Sequence, residues 1–227
     1  MKKVAILQSN YLPWKGYFAL LASVDEFIFY DEVQYTRRDW RNRNILKTAN
    51  GTQWITVPVD VKGKYFQKIN EVRIADEKWT KKHWNAFRAN YAKSKYYEEV
   101  SAQLFSIYNV DKHDYLSALN QKLIRLICNY LNISTTLISS IDLKQSADKN
   151  QRLIDICKAR HANTYVSGPS AKNYLDPNQF KQEGISLEWF DYDNFPTYNQ
   201  LWGDFEHKVS VLDVMFNCGE EAAQFFR

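Results

Sequence analysis

The chain has 227 residues, 45% hydrophobic and 25% charged, with 15 Tyr, 13 Phe and 7 Trp against only 7 Gly and 5 Pro. That composition excludes disordered and fibrous classes and supplies enough apolar surface for one full core, so residues 1–227 are read as a single domain. A formal charge of +4 suits an anionic small substrate and is too small to require nucleic acid as the partner.

Val4 to Leu7 is a continuous apolar run that ends in Gln8-Ser-Asn10, which predicts a buried strand delivering a polar loop. A helical pattern over Lys15 to Ala22 and a second strand over Phe27 to Tyr30, ending at Asp31, complete a strand-helix-strand unit. Gln53 to Val59 and Lys68 to Ile74 read as extended segments of an antiparallel excursion, with Pro58 suited to an edge. Helices are predicted at Trp79 to Tyr91 and Asp114 to Leu131, inside a mainly helical section of about 78–132. In the second helix Leu116, Leu119, Leu123, Leu126, Ile127 and Tyr130 recur at helical spacing and belong to the core. A later unit follows. Thr135 to Ser139 is a strand, Leu153, Ile154, Ile156 and Cys157 mark a helix, and Thr164 to Val166 is a strand running into Ser167-Gly-Pro-Ser-Ala171. Ile185 to Phe190 adds another strand, and the amphipathic stretches Val209 to Phe216 and Glu220 to Phe226 pack back on the body. Alternating strands and helices predict an α/β fold: a Rossmann-like parallel or mixed sheet with helices on both faces.

Residues 31–47 hold the densest recognition chemistry. Arg37, Arg38, Arg41, Arg43 and Lys47 stand among Asp31, Glu32 and Asp39, with the amides Gln34, Asn42 and Asn44 and the rings Tyr35 and Trp40. A solvated charged loop explains the arginines but not two large aromatics and three amides. Guanidinium groups bind phosphate or carboxylate bidentately and stack on aromatic faces, so an anionic or oxygen-rich ligand is expected here.

In open α/β sheets the ligand crevice lies at the carboxyl ends of the strands. Gln8, Tyr11, Trp14 and Lys15 follow the first predicted strand, Asp31 the second, and Ser167, Gly168 and Ser170 a late one, so one crevice is expected to gather them with Asn44. Gly168 permits a tight turn there with a positive φ angle, or leaves room for a ligand. Ser170 is placed to cap a short helix near Ala171 and to offer amides to an anion. Asp31 is the candidate general base or hydroxyl acceptor, with an ion pair to a nearby arginine as its alternative. His83, at the start of a helix, is the second candidate catalytic residue, with an exposed helix histidine as its alternative.

His83, His113, His161 and His207 lack metal-ligand spacing, and Cys128, Cys157 and Cys218 form neither a disulfide framework nor a zinc motif. No metal and no protein-bound cofactor is expected; ATP, or magnesium carried by a nucleotide, is the form in which either would enter. No apolar run reaches membrane-span length, and the start is too short and polar for a signal peptide, so a cytoplasmic location is expected. Oligomeric state is not legible.

Five motifs carry a family resemblance: Gln8-Ser-Asn-Tyr-Leu-Pro-Trp-Lys-Gly-Tyr-Phe18; Tyr30-Asp-Glu-Val-Gln-Tyr35 with Asp39-Trp-Arg-Asn-Arg-Asn44; Thr56-Val-Pro-Val59; Tyr165-Val-Ser-Gly168 with Tyr174-Leu-Asp176; and Pro196-Thr-Tyr-Asn-Gln200. On these the chain resembles the WbqC-like family of bacterial proteins associated with O-antigen and other surface-glycan biosynthesis. The resemblance implies a cytoplasmic transferase that takes a nucleotide-linked sugar as substrate, with acylation of an amino sugar by an amino acid as one form. It also brings Tyr198 and Gln200 into the expected site.

The order of parts is similar, more faintly, to the nucleotidyltransferase and class I aminoacyl-tRNA synthetase superfamily. That superfamily's His-x-Gly-His is replaced here by Trp14-Lys-Gly-Tyr17, leaving Lys15 to supply phosphate charge. An ATP-using adenylate-forming ligase is therefore the alternative enzyme, and a non-catalytic nucleic-acid or glycan-binding module the alternative outside catalysis.

Overall fold

The structure, a computed structural model, describes residues 1–143, 146 and 148–226. Five strands form one parallel sheet: β1 (Lys3–Leu7), β2 (Glu26–Phe29), β5 (Thr136–Ser139), β6 (Thr164–Ser167) and β7 (Ser186–Trp189). Their spatial order is β5-β2-β1-β6-β7. The chain starts in the middle, builds outward through β2 and β5, then reverses to β6 and β7. The switch point is therefore the gap between β1 and β6. Because every pair is parallel, the residues after β1, β2, β5, β6 and β7 all leave from one edge.

Buried strands explain the fully apolar runs. Ala5, Phe27 and Phe29 point into a core shared with α1 (Lys15–Ala22), α4 (Leu116–Tyr130) and α7 (Val211–Cys218). Val4, Ile6 and Ile28 point the other way, against Leu153, Ile154, Ile156 and Cys157 of α5 (Lys149–Ala159) and Phe180 of α6 (Pro177–Gln182). The period of two along each strand thus feeds two helix layers.

The excursion between β2 and the helical section is an antiparallel hairpin of β3 (Arg43–Thr48) and β4 (Gly51–Thr56). Its first strand runs through the polar segment, where Leu46 is fully buried between half-buried Ile45 and buried Lys47. Lys68 to Ile74 departs from the extended reading: Ile69–Glu71 is a 3-10 turn, stabilised by Glu71 accepting the Lys68 backbone N–H at 2.9 Å, and the residues around it form isolated bridges, Lys68 with Gln34, Arg73 with Tyr115 and Ile74 with Val59. The helical section holds α2 (Lys78–Tyr91), α3 (Tyr97–Asn109) and α4. Helix α3 buries Val100, Leu104, Ile107 and Tyr108, a helical spacing that the sequence reading passed over. After α7, Gly219–Phe226 continues as 3-10 turns. Among the described residues no helix is long and apolar enough to cross a membrane.

Candidate functional site

The loop after β1 is the structural centre of the carboxyl edge. Leu12 is fully buried with φ +43, a left-handed backbone that a branched apolar side chain rarely takes and that clusters at functional sites. Asn44 on β3 holds it there: its Nδ2 donates to the carbonyls of Tyr11 at 3.1 Å and Leu12 at 2.8 Å. The Tyr11 N–H donates to the Trp40 carbonyl, the Val211 N–H to the Pro13 carbonyl, and the Ser210 N–H to the Ile45 carbonyl. The loop is therefore clamped between the hairpin and the start of α7.

Arg41 reaches the same loop, donating to Asn10 Oδ1 at 2.8 Å and Gln8 Oε1 at 3.1 Å, with Asp39 at 3.7 Å. Beside it opens a cleft of about 320 Å³ lined by Asn10, Pro13, Trp14, Trp40, Asn44 and Lys208. Trp14 stands at a crossing of rings, 5.5 Å from Tyr192 and 5.8 Å from Phe195. Gly16 is required next to it, since a Cβ at that position would come within 2.3 Å of the Trp14 ring. Trp40 is 43% exposed, packs 5.4 Å from Trp54, and Trp54 carries the Arg43 guanidinium at 4.2 Å.

The structure brings Gln8, Trp14, Trp40, Arg41 and Asn44 together at the cleft or directly behind it. The other sequence candidates lie elsewhere. Tyr11 points inward, fully buried, sharing hydrogen bonds of 2.7 Å with His83 Nδ1 and 2.6 Å with the Tyr108 hydroxyl. His83 is thus an interior residue of α2, not an exposed helix histidine. Asp31 is 2% exposed and saturated: it accepts the Ser9 N–H at 2.8 Å, the Gln121 amide at 3.1 Å and the Ser117 hydroxyl. Among the described residues no arginine forms a salt bridge with it; it fastens the β1 loop to α4.

Tyr35 is buried, and Gln34 is exposed outside the cleft lining, donating to the Tyr65 carbonyl at 2.9 Å. Arg38 is exposed with φ +57, and Asn42 is buried, donating to the Val57 carbonyl at 2.8 Å. Arg43 donates to the Arg38 carbonyl and lies behind Trp54.

Lys15 is also relocated. Its Nζ donates to the Pro196 carbonyl at 2.8 Å and sits 5.3–5.5 Å from the rings of Phe195, Tyr198 and Phe205, so it secures the irregular segment between β7 and α7. Burial lowers its pKa to about 8, against the opposing pull of Asp213. Tyr198 and Gln200 in that segment donate to the buried Asp213 carboxylate. Ser167 ends β6 and Gly168 follows it, at the same edge as Gln8. Gly168 has φ −69, not a positive angle, and a Cβ there would lie 3.4 Å from the Tyr192 ring that covers it. Ser170 caps nothing; it is exposed inside a 3-10 turn (Pro169–Asn173) whose cap position is Gly168.

The sequence reading missed Lys208, Tyr192 and Asp213, and passed over Asn10, Ser117 and Gln121 as site residues. Asp213 had a signal, an acid inside the apolar run Val211-Leu-Asp-Val-Met-Phe216. Lys208 had none. Among the described residues no group of three His, Cys, Asp or Glu side chains is placed to hold a metal ion.

Burial pushes the His83 imidazole down to about 4 from 6.5, against a hydrogen bond to the Thr56 backbone. A histidine depressed in the folded state binds its proton more tightly when unfolded. Its contribution is therefore complete above pH 6.5 and is lost as pH falls toward 4. At about 1.4 kcal/mol per pKa unit, the loss is about 3 kcal/mol. Denaturant titrations across that window should show it in the wild type and not in His83→Gln; parallel pH profiles for the two would remove His83 from the acid response.

No solved structure matches the chain. An uncharacterized protein of Mycobacterium tuberculosis, Rv1507c, is 52% identical over 227 residues, covering 100% of this chain and 98% of the relative. The model of the WbqC-like protein family matches residues 8–225, from the clamped loop after β1 to the final 3-10 turns. With the cleft, the hairpin beside it and the segment held by Lys15 all inside that match, the chain belongs to the WbqC-like protein family.

Proposed function

We propose that this protein is a cytoplasmic transferase of surface-glycan biosynthesis that binds a nucleotide-activated amino sugar in the cleft, one form of the reaction being transfer of an acyl or aminoacyl group from an activated donor, whose carrier departs, to the sugar's amine. The observation that carries the reading is the cleft itself. It adjoins the loop after the central strand, next to the switch point of a parallel sheet, and is walled by Trp14 and Trp40 with Lys208 at its rim and Arg41 behind Asn10. Flat rings suit the base or sugar, the cations suit a diphosphate, and Asn10 suits hydroxyl or amino groups. No resident metal enters this reading; magnesium arrives with the nucleotide.

A thermal-shift panel of nucleotide sugars tests it. A true ligand at about 100 times its dissociation constant stabilises the fold by about 2.7 kcal/mol. Indifference to the whole panel would contradict the reading. Release of pyrophosphate or AMP from labelled ATP would replace it with an adenylate-forming ligase.

A further inference from the structure

The loop Val61-Lys-Gly-Lys-Tyr-Phe-Gln-Lys68 lies outside the cleft and presents unusual side chains to solvent. Tyr65 is 71% and Phe66 81% exposed, the two rings meeting edge to face at 5.0 Å. Lys62, Lys64 and Lys68 are exposed around them, with Asp60 the one acid in residues 60–68. Exposed aromatics of this size occur in soluble proteins, but here the backbone that displays them is fixed. Gln34 donates to the Tyr65 carbonyl at 2.9 Å, Arg37 donates to the Val61 carbonyl, and the Tyr35 N–H donates to the Gln67 carbonyl at 2.9 Å. Gln67 ties back to the Asp60 carbonyl at 3.1 Å, and Glu71 holds the Lys68 N–H. Gly63, with φ +72 and open space where a Cβ would stand, makes the turn.

We propose that this loop docks the protein on an anionic lipid surface, with Tyr65 and Phe66 entering the headgroup layer and Lys62, Lys64 and Lys68 meeting its phosphates. Aromatic rings on a rigid tip lose little entropy on insertion, and lysine stems reach from an apolar contact to a charged layer. The lysines complement an anionic leaflet. Single-stranded nucleic acid fits less well. Two perpendicular neighbouring rings do not offer parallel platforms to successive bases. The inference is independent of what occupies the cleft.

Co-sedimentation of the full chain with vesicles rich in phosphatidylglycerol, and with vesicles of phosphatidylcholine alone, tests it. Binding to the anionic vesicles should fall as salt rises. The K62Q/K64Q variant should bind about 25-fold more weakly, about fivefold for each lysine. Y65S/F66S should weaken binding by about tenfold or more through lost apolar burial. These side chains face solvent, so unchanged melting temperatures in both variants are expected and serve as the folding control. Failure of the wild type to bind anionic vesicles at low salt would overturn the proposal, as would full binding in both variants. Capture of single-stranded RNA through these residues, with vesicles ignored, would assign the loop to nucleic acid instead.

Discussion

Asp213→Ala is expected to lose about 3–5 kcal/mol of stability, the range for removing one partner of a buried charged network. The carboxylate is 1% exposed near the start of α7. Its Oδ1 accepts the Tyr198 hydroxyl at 2.7 Å and the Gln200 amide at 2.9 Å, and its Oδ2 accepts the Tyr91 hydroxyl at 3.0 Å. Burial raises its pKa, while those three donors and the charge of Lys47 act to lower it. Its own charge in turn supports Lys15. Alanine would leave the Tyr91 and Tyr198 hydroxyls without this acceptor, reduce the Gln200 amide to its bond with the Glu206 carbonyl, and remove the negative charge felt by Lys15 and Lys47. The irregular segment 190–209, tied down by Tyr198, Gln200 and Lys15, should loosen with it. Denaturant midpoints measure the change; a loss below about 1 kcal/mol would show that the network adds nothing beyond surface-level pairing.

Asp31→Ala should cost about 3 kcal/mol or more, because an orphaned buried donor costs about 1–3 kcal/mol and three donors are involved. Ser9, Ser117 and Gln121 belong to the β1 loop and α4, so the damage should reach the cleft through the loop. Asp31→Asn keeps one acceptor and should fall between. A fastener and a general base differ here: the fastener loses stability and ligand binding together. An asparagine variant as stable as wild type, binding ligand fully yet inactive, would return Asp31 to catalysis.

Much of the scaffold was legible because buried parallel strands are written as unbroken apolar runs, as in Val4 to Leu7 and Phe27 to Phe29. Their parallel pairing then puts Gln8, Asp31, Ser140 and Gly168 at one edge. Strand β3 was hidden because its polar residues are buried for structural reasons: Asn44 satisfies the strained loop at Leu12, and Lys47 is buried with its Nζ on the Asp204 carbonyl. The candidate cleft lies beside the polar segment 31–47, but the sequence does not separate the groups of that segment by what they face. A dense set of arginines and amides reads alike whether each group faces solvent, as Arg38 does, or holds backbone, as Asn42 and Asn44 do. Tyr11 and His83 carry polar atoms suited to chemistry, yet their mutual hydrogen bond lets them be buried. Only the spatial neighbours decide such cases.

The most direct test of the cleft as the nucleotide-sugar site is calorimetric titration of the best ligand from the panel into wild type and Arg41→Ala. Arg41 bridges Gln8 and Asn10 behind the cleft wall, and in the proposed reading its charge acts on a diphosphate entering there. Losing a hydrogen bond to a charged group should weaken binding by about 1.5–3 kcal/mol, and Arg41→Lys should recover only part of it because the fork is gone. Undiminished affinity in a folded Arg41→Ala variant would contradict the assignment.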